Sequence, residues 1–371
     1  MKRARSFPYL LSLIMTTAGS ICCGGNKATV PKFCSGCQFV YSTTDSGQIL
    51  TFPVATSGVL GTPTSVAGPA NSAGVIAVGA DLYVSDPGNN AIRVYAISSS
   101  DGSLSEAPVG PYPLSSTPSA LAALVNTLYV ASSMGNIFAF MVNADGSLTS
   151  IAGSPFLAGT GLSHMAIVPS ETTGNTVYLY AANTNDPNGS ISAFSISSNG
   201  ALVPIAGSPF ATVANGGPEG FYSGGSVLYV ALKNANAVAA LTINADGSLT
   251  PIAGSPFAAG HGTSSLDGAG GYLFAANSLD GTISSYRMQP VSGVLTEVGG
   301  SPFAAALPSG DILFSNGTLF LPDASSNSIS GFGINLDGSI NPLSGSPFRA
   351  GAGPLALMAE GFPVVDPIGP H

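Results

Sequence analysis

Along most of this chain apolar residues come in short runs, cut every few positions by Gly, Pro, Asn, Asp or Ser. Runs of that length bounded by turn residues read as strands. One kind is mostly apolar and often follows Pro or Gly, as in Pro118-Ser-Ala-Leu-Ala-Ala-Leu124. A second is apolar and aromatic: FVYST (39–43), LYVSD (82–86), LYVAS (128–132), LYAAN (179–183), LYVAL (228–232), LFAAN (273–277) and LFLPD (319–323). A third alternates, as in Ile191-Ser-Ala-Phe-Ser-Ile196 and Ile329-Ser-Gly-Phe-Gly-Ile334, which marks a strand with two unlike faces. A fourth is brief, as in Leu249 to Gly254.

These four kinds follow one another in a fixed order, and the order repeats. A polar turn containing Gly precedes each fourth run. Its glycines are 58, 102, 146, 200, 247, 293 and 338, spaced by 44, 44, 54, 47, 46 and 45 residues. Gly-Ser-Pro-Phe follows, ending at Phe156, Phe210, Phe257, Phe303 and Phe348, with degenerate versions at Gly68-Pro69 and Gly110-Pro111. Four short strands per repeat of this length is the pattern of a propeller blade. The expected fold is therefore all-β: a seven-bladed β-propeller of four-stranded antiparallel blades. Asp-Gly at 101, 145, 246 and 337 supplies the hairpin turns. Gly-Ser-Pro-Phe is expected to leave the outer strand and cross to the next blade, with Phe wedged between the two. The first unit enters at its second strand, near Phe39, and a spare first strand, Pro354 to Glu360, stands at the far end. Pairing the two closes the ring and removes an open sheet edge.

Composition agrees and narrows the function. The 371 residues include 48 Gly and 28 Pro, the two poorest helix formers. Charged residues make up only 7%, while 45% are hydrophobic, which rules out charge-driven disorder. After residue 32 only Arg93, Lys233, Arg287 and Arg349 are basic against 18 acids, a balance of −14. A nucleic acid is excluded as partner, since phosphate binding needs clustered Lys and Arg. A basic docking surface for anionic membranes is excluded likewise.

The first residues read as an export signal over 1–23: basic Lys2, Arg3 and Arg5, an apolar core from Phe7 to Met15, then small residues. Cys22 and Cys23 resemble a bacterial lipoprotein processing site, with either as the lipidated residue; cleavage after Ala18-Gly19-Ser20 is the alternative. A linker spans 24–37 and ends in Cys34-Ser-Gly-Cys37. This pair lacks the βαβ setting of a redox motif and the second pair of ligands that zinc needs, leaving a local disulfide or two inert thiols. The propeller runs over 38–366 and a tail over 367–371. The expected location is periplasmic, cell-surface or secreted, with no transmembrane span, and the expected state is a monomer.

The LYVAN-type strands, the N-x-I-S-x-F third strands, the DGSLTPIAGSPF outer segments and the count of seven resemble the β-propeller lactonase family, which includes the propeller type of 6-phosphogluconolactonase. The resemblance covers about residues 38–366 and implies hydrolysis of a sugar lactone. The family's Gly-Pro-Arg-His pattern has its best match here in Gly217-Pro218-Glu219-Gly220, with Glu and Gly in place of Arg and His. Its Asn-Arg after a second strand has Asn277-Ser278 as counterpart, and its His-containing first strand has His164 in Gly161-Leu-Ser-His-Met165.

Few groups are available for acid–base work. His164, Glu219 and Asp311 stand at the starts of first strands, and Asp267 lies near the equivalent position in another. First strands converge on the axis, so these residues are expected at one mouth, where they would activate water or hold a metal. Simple hydration of a polar channel is the plainer reading. His261 lies in a loop on the same face, and His371 is terminal. Asn183 and Asn277 belong to Asn/Asp-rich loops that suit a polyhydroxyl ligand or a divalent cation, although Asx turns explain most of them. No cofactor is required. Two functions stay open: an exported module that binds a small carbohydrate-like ligand or a protein partner through an eroded lactonase site, or a lactonase using His164 and a nearby carboxylate.

Overall fold

The computed structural model describes residues 38–170, 176–187 and 189–360. The expected export segment with Cys22 and Cys23, the expected linker with Cys34 and Cys37, Asn188 and the tail with His371 lie outside the described residues. Every regular element among the described residues is a strand, and the strands form seven sheets. No helix there is long and apolar enough to cross a membrane.

Each sheet is a blade, and in six of the seven the strands run outward from the axis in chain order. Blade 4, for instance, comprises Leu162–Pro169, Val177–Asn183, Ser190–Ile196 and Leu202–Pro204. The inner strands of the other blades begin at Val75 (blade 2), Pro118 (3), Pro218 (5), Thr263 (6) and Leu313 (7). Blade 1 is completed as the chain ends required: Pro354–Glu360 is its inner strand and pairs antiparallel with Gln38–Thr44. Asp45 N–H donates to Gly353 C=O at 2.9 Å, and Ala356 N–H to Thr43 Oγ1 at 3.2 Å, beside that ladder.

The Gly-Ser-Pro-Phe segment behaves differently from the expectation. It does not leave its blade at once. A turn with a cis Ser–Pro bond brings Phe back to the third strand of the same blade: Phe156 pairs with Ile137, Phe210 with Ile191, Phe257 with Val238, Phe303 with Ile283 and Phe348 with Ile329. The outer strand is thus broken in two and rejoined. The Ser hydroxyl of the turn fixes the break, as Ser154 Oγ accepts from Ala139 N–H at 2.9 Å. The expected wedge does form, because Phe156 packs on a core cluster drawn from blades 3 and 4, and Phe257 on one from blades 5 and 6.

Both faces of a blade are buried against neighbours, so the alternating third strands are not polar on one side. Ser190–Ile196 is buried over its first five residues, serines included. The core consists of seven such inter-blade layers. A second tie crosses them. The Tyr of the second strand donates to the Gly carbonyl of the DGSL-type turn one blade on: Tyr41 to Gly102, Tyr83 to Gly146 and Tyr129 to Gly200 at 2.8 Å, Tyr180 to Gly247 and Tyr229 to Gly293 at 2.9 Å. Burial raises the pKa of the Tyr83, Tyr129, Tyr180 and Tyr229 hydroxyls, which keeps them protonated as donors. Blade 6 has Phe274 instead of Tyr, and Ser285, directly opposite it on the third strand, donates to Gly338 at 2.7 Å.

Two outcomes follow for stability. Tyr129→Phe leaves the buried Gly200 carbonyl without this donor and costs about 1 kcal/mol, read from urea unfolding midpoints. Removing residues 350–371 exposes the edge of Gln38–Thr44 and opens the ring; size-exclusion chromatography should show aggregates, and the melt should lose its cooperative transition.

Candidate functional site

The inner strands adjoin one another around the axis, and in blades 4, 5 and 6 each begins with an irregularity. Register shifts fall between Leu162 and Met165, between Pro218 and Phe221, and between Thr263 and Ser265. An extra residue at such a bulge re-aims the side chains around it. His164 and Glu219 both lie inside these bulges. Leu162 faces Asn183 and Pro218 faces Leu232 at the ends of their second strands, so His164 occupies in blade 4 the position that Gly220 holds in blade 5.

The structure brings three of the sequence candidates together from three blades. His164 Nδ1 lies 3.7 Å from Asp311 Oδ2, with the side chains 26% and 45% exposed. That is ion-pair reach, longer than a hydrogen bond. The imidazole meets the Phe221 ring edge-on, with centroids 6.3 Å apart. Glu219 sits close enough to feel both partners electrostatically. Burial pushes its carboxyl above the usual range, Lys233 and His164 pull it down, and Asp311 adds to the rise. Lys233 Nζ donates to Glu219 Oε1 at 3.0 Å. Lys233 was not among the sequence candidates, yet it is the only lysine after residue 32 and directly follows an LYVAL strand. Ser278 holds the same position one repeat later, after Asn277.

Asp267 is placed differently. Its Oδ2 accepts from Phe314 N–H at 2.6 Å and its Oδ1 from Gly268 N–H at 2.8 Å, while Ser265 Oγ accepts from Ile312 N–H at 3.0 Å. Blade 7 has only three residues of inner strand, Leu313–Ser315, and these two side chains of blade 6 hold the segment that carries Asp311. Burial pushes the Asp267 carboxyl up to about 7, outweighing the two N–H donors that favour its charged form.

The remaining candidates lie apart from this cluster. His261 is exposed, its ring Nδ1 3.9 Å from Asp280 Oδ1, and its backbone N–H donates to Asp280 Oδ2 at 2.6 Å. Asn183 and Asn277 are fully buried. Asn183 Nδ2 donates to the Ser190 and Ser192 hydroxyls at 2.8 and 3.1 Å. Asn277 Nδ2 donates to those of Thr282 and Ser284 at 3.0 Å, and its Oδ1 accepts from Thr263. Their amides hold the blade edges. Among the described residues no group of three or more His, Cys, Asp or Glu side chains is arranged to hold a metal ion. An open cleft at the rim between blades 1 and 2, lined in part by Asn71, Asp86, Asn89 and Arg93, is separate from the cluster. Its Asp86 is engaged by Asn89 and its Arg93 by Glu106.

A buried carboxyl that keeps its proton gives the fold a pH signature. From its ordinary value of 3.8 up to about 7, the folded chain holds an Asp267 proton that the unfolded chain has released. Stability from this group is therefore full at the acid end and falls as pH rises through that window. Urea unfolding of the parent chain should show a loss between about pH 4 and pH 7, and Asp267→Asn should flatten it.

Comparison with known proteins comes to the same architecture. The family described as "Lactonase, 7-bladed beta-propeller" matches residues 136–307, from the third strand of blade 3 to the crossing after blade 6. No curated protein matches. Among solved structures, a candidate 6-phosphogluconolactonase from Bacteroides fragilis superposes with a TM-score of 0.71 at 19% identity, over 88% of this chain and 98% of the other. A second candidate, from Bacteroides uniformis, gives 0.72 at 19%, over 88% and 100%. The periplasmic gluconolactonase of Pseudomonas aeruginosa gives 0.70 at 18%, over 87% and 99%. At such identities the structures share a fold, and the resemblance read from the repeats holds: this chain has the lactonase-family propeller fold.

Proposed function

We propose that this exported propeller binds an uncharged sugar lactone at the inner-strand mouth and opens its ring by hydrolysis. The observation that carries this reading is the meeting of His164 and Asp311, from blades 4 and 7, in a chain with only three histidines. Asp311 faces Nδ1, which leaves Nε2 to take a proton from water as the water oxygen attacks the lactone carbonyl. The carboxylate stabilises the imidazolium so formed. Collapse of the tetrahedral intermediate breaks the ring C–O bond, and the imidazolium returns its proton to the departing alkoxide. Lactone and water give the hydroxy acid, with no other reactant. The basic residues at the N-terminus and the small residues ahead of Cys22 and Cys23 support export.

A second reading, a binding module without turnover, is favoured by one observation. Gly220 holds the place of the His in the lactonase pattern, and a Cβ there would lie 2.6 Å from Ser265 Cα, so no side chain fits. The two readings part in one assay. Acid release from glucono-δ-lactone at pH 7, followed with an indicator dye, should exceed the spontaneous rate, and His164→Asn should lower the excess by a factor of ~10² or more. A parent chain no faster than buffer, with gluconolactone still bound in calorimetry, would establish the binding module.

A further inference from the structure

Blade 5 departs from the other six just after its second strand and from blade 4 within its inner-strand bulge, and the two departures touch. The residue that follows the second strand is Asp45, Pro87, Ser133, Thr184, Ser278 or Ala324 in the other blades and Lys233 in blade 5. Within the inner-strand bulge, blade 4 carries Ser163 where blade 5 carries Glu219. Lys233 and Glu219 then form a 3.0 Å ion pair, with the Lys side chain 41% exposed and the Glu 20%. An exposed ammonium is a ready site for phosphate or carboxylate. Here a carboxylate of the same blade already occupies it.

Around this pair the field is negative. Asp311 stands nearby and raises the Glu219 carboxyl further, and among the described residues the one other basic group that acts on Glu219 is His164. A mouth with Lys233 cancelled and Asp311 uncancelled attracts no anion and repels one that arrives.

From this arrangement we infer that Glu219 is a specificity-determining residue: its carboxylate occupies the Lys233 ammonium, so that the mouth admits uncharged sugars and turns away phosphorylated or carboxylated ones. The inference rests on the reading that the mouth receives a sugar-like ligand, and it adds which charge class is refused and by which residue. It also accounts for release of product. Ring opening of a lactone creates a carboxylate, and a mouth with no free cation does not retain it.

The test needs no turnover, so it stands even if the chain proves not to be a hydrolase. Isothermal titration with 6-phosphogluconate and with inorganic phosphate should give no measurable binding to the parent chain. Glu219→Gln frees the ammonium without changing the shape of the side chain and should raise affinity for both anions roughly tenfold or more. The second variant, Glu219→Ser, installs the residue that blade 4 carries and should do the same. Adding Lys233→Met to either variant should abolish the gain. Parent-level anion binding in both cooperatively melting Glu219 variants overturns the inference, and so does a parent chain that binds 6-phosphogluconate as tightly as they do.

Discussion

The fold depends on a turn-glycine carbonyl that blades 2 to 6 each present to the tyrosine of the blade before, and blade 7 to Ser285 of blade 6. The carbonyl is reachable because the turn glycine adopts positive φ, +79° at Gly146 and +83° at Gly200, which side chains disfavour. It is also reachable because nothing stands on that glycine. A Cβ at Gly200 would lie 2.6 Å from Ile151 of the preceding blade, and one at Gly102 would lie 2.5 Å from the Phe39 ring. The turn therefore fixes the distance between blades as well as the hairpin. Asp at the preceding position holds the turn, since Asp145 Oδ1 accepts from Ser147 N–H at 3.0 Å and from its hydroxyl at 2.6 Å. With blade spacing set at the outside, the inner strands have little choice of place around the axis.

That constraint explains how a chain so poor in charge assembles a polar cluster. Sheet faces are spent on inter-blade packing, and many buried polar groups there are small and satisfied locally, as with Asn183 and its two serines, whereas the Tyr95 hydroxyl and Ser119 Oγ have no hydrogen-bond partner among the described residues. At the axis, His164 and Glu219 stand where a strand leaves the ladder. Bulges at the starts of the inner strands of blades 4 and 5 provide such places, and His164 and Glu219 fill them. Lys233 reaches the same spot because it is the first residue beyond a second strand, where the backbone turns away.

Seven blades, their strand order and the closing strand at Pro354–Glu360 were legible in the sequence because a blade cannot bury its faces alone; the repeat has to be written into every unit. The convergence of His164, Glu219 and Asp311 was legible for the same reason, since strand starts map to one end of the axis. What escaped was anything dependent on one hydrogen bond. The return of Gly-Ser-Pro-Phe to its own third strand turns on a serine hydroxyl that the phrase shares with any loop serine. Asn183 and Asn277 read as rim residues because an Asn at a strand end gives no sign of whether it points inward. Lys233 carried a signal, a unique charge at a repeated position, but it becomes meaningful only beside Glu219, fourteen residues away across two strands.

Asp311 shows how such a scaffold accommodates change. His164 stands on an inner strand of eight residues, in a bulge flanked by paired residues on both sides. Asp311 precedes one of three residues, and its segment hangs between blades 6 and 1. Ser309 Oγ donates to Pro354 C=O at 2.6 Å on one side, while Ser265 and Asp267 accept from Ile312 and Phe314 on the other. Gly310 is pressed against the Leu355 carbonyl, which a Cβ would approach to 2.1 Å. The placement of this carboxylate is thus set by four side-chain positions, 265, 267, 309 and 310, and hardly by the ladder. Substitution at any of them moves Asp311 relative to His164 while the tyrosine–glycine ties and the inter-blade cores stay as they are. A fold whose stability sits in the outer strands and turns can alter the chemistry at its axis one residue at a time, and the mouth of this propeller is built in that separable way.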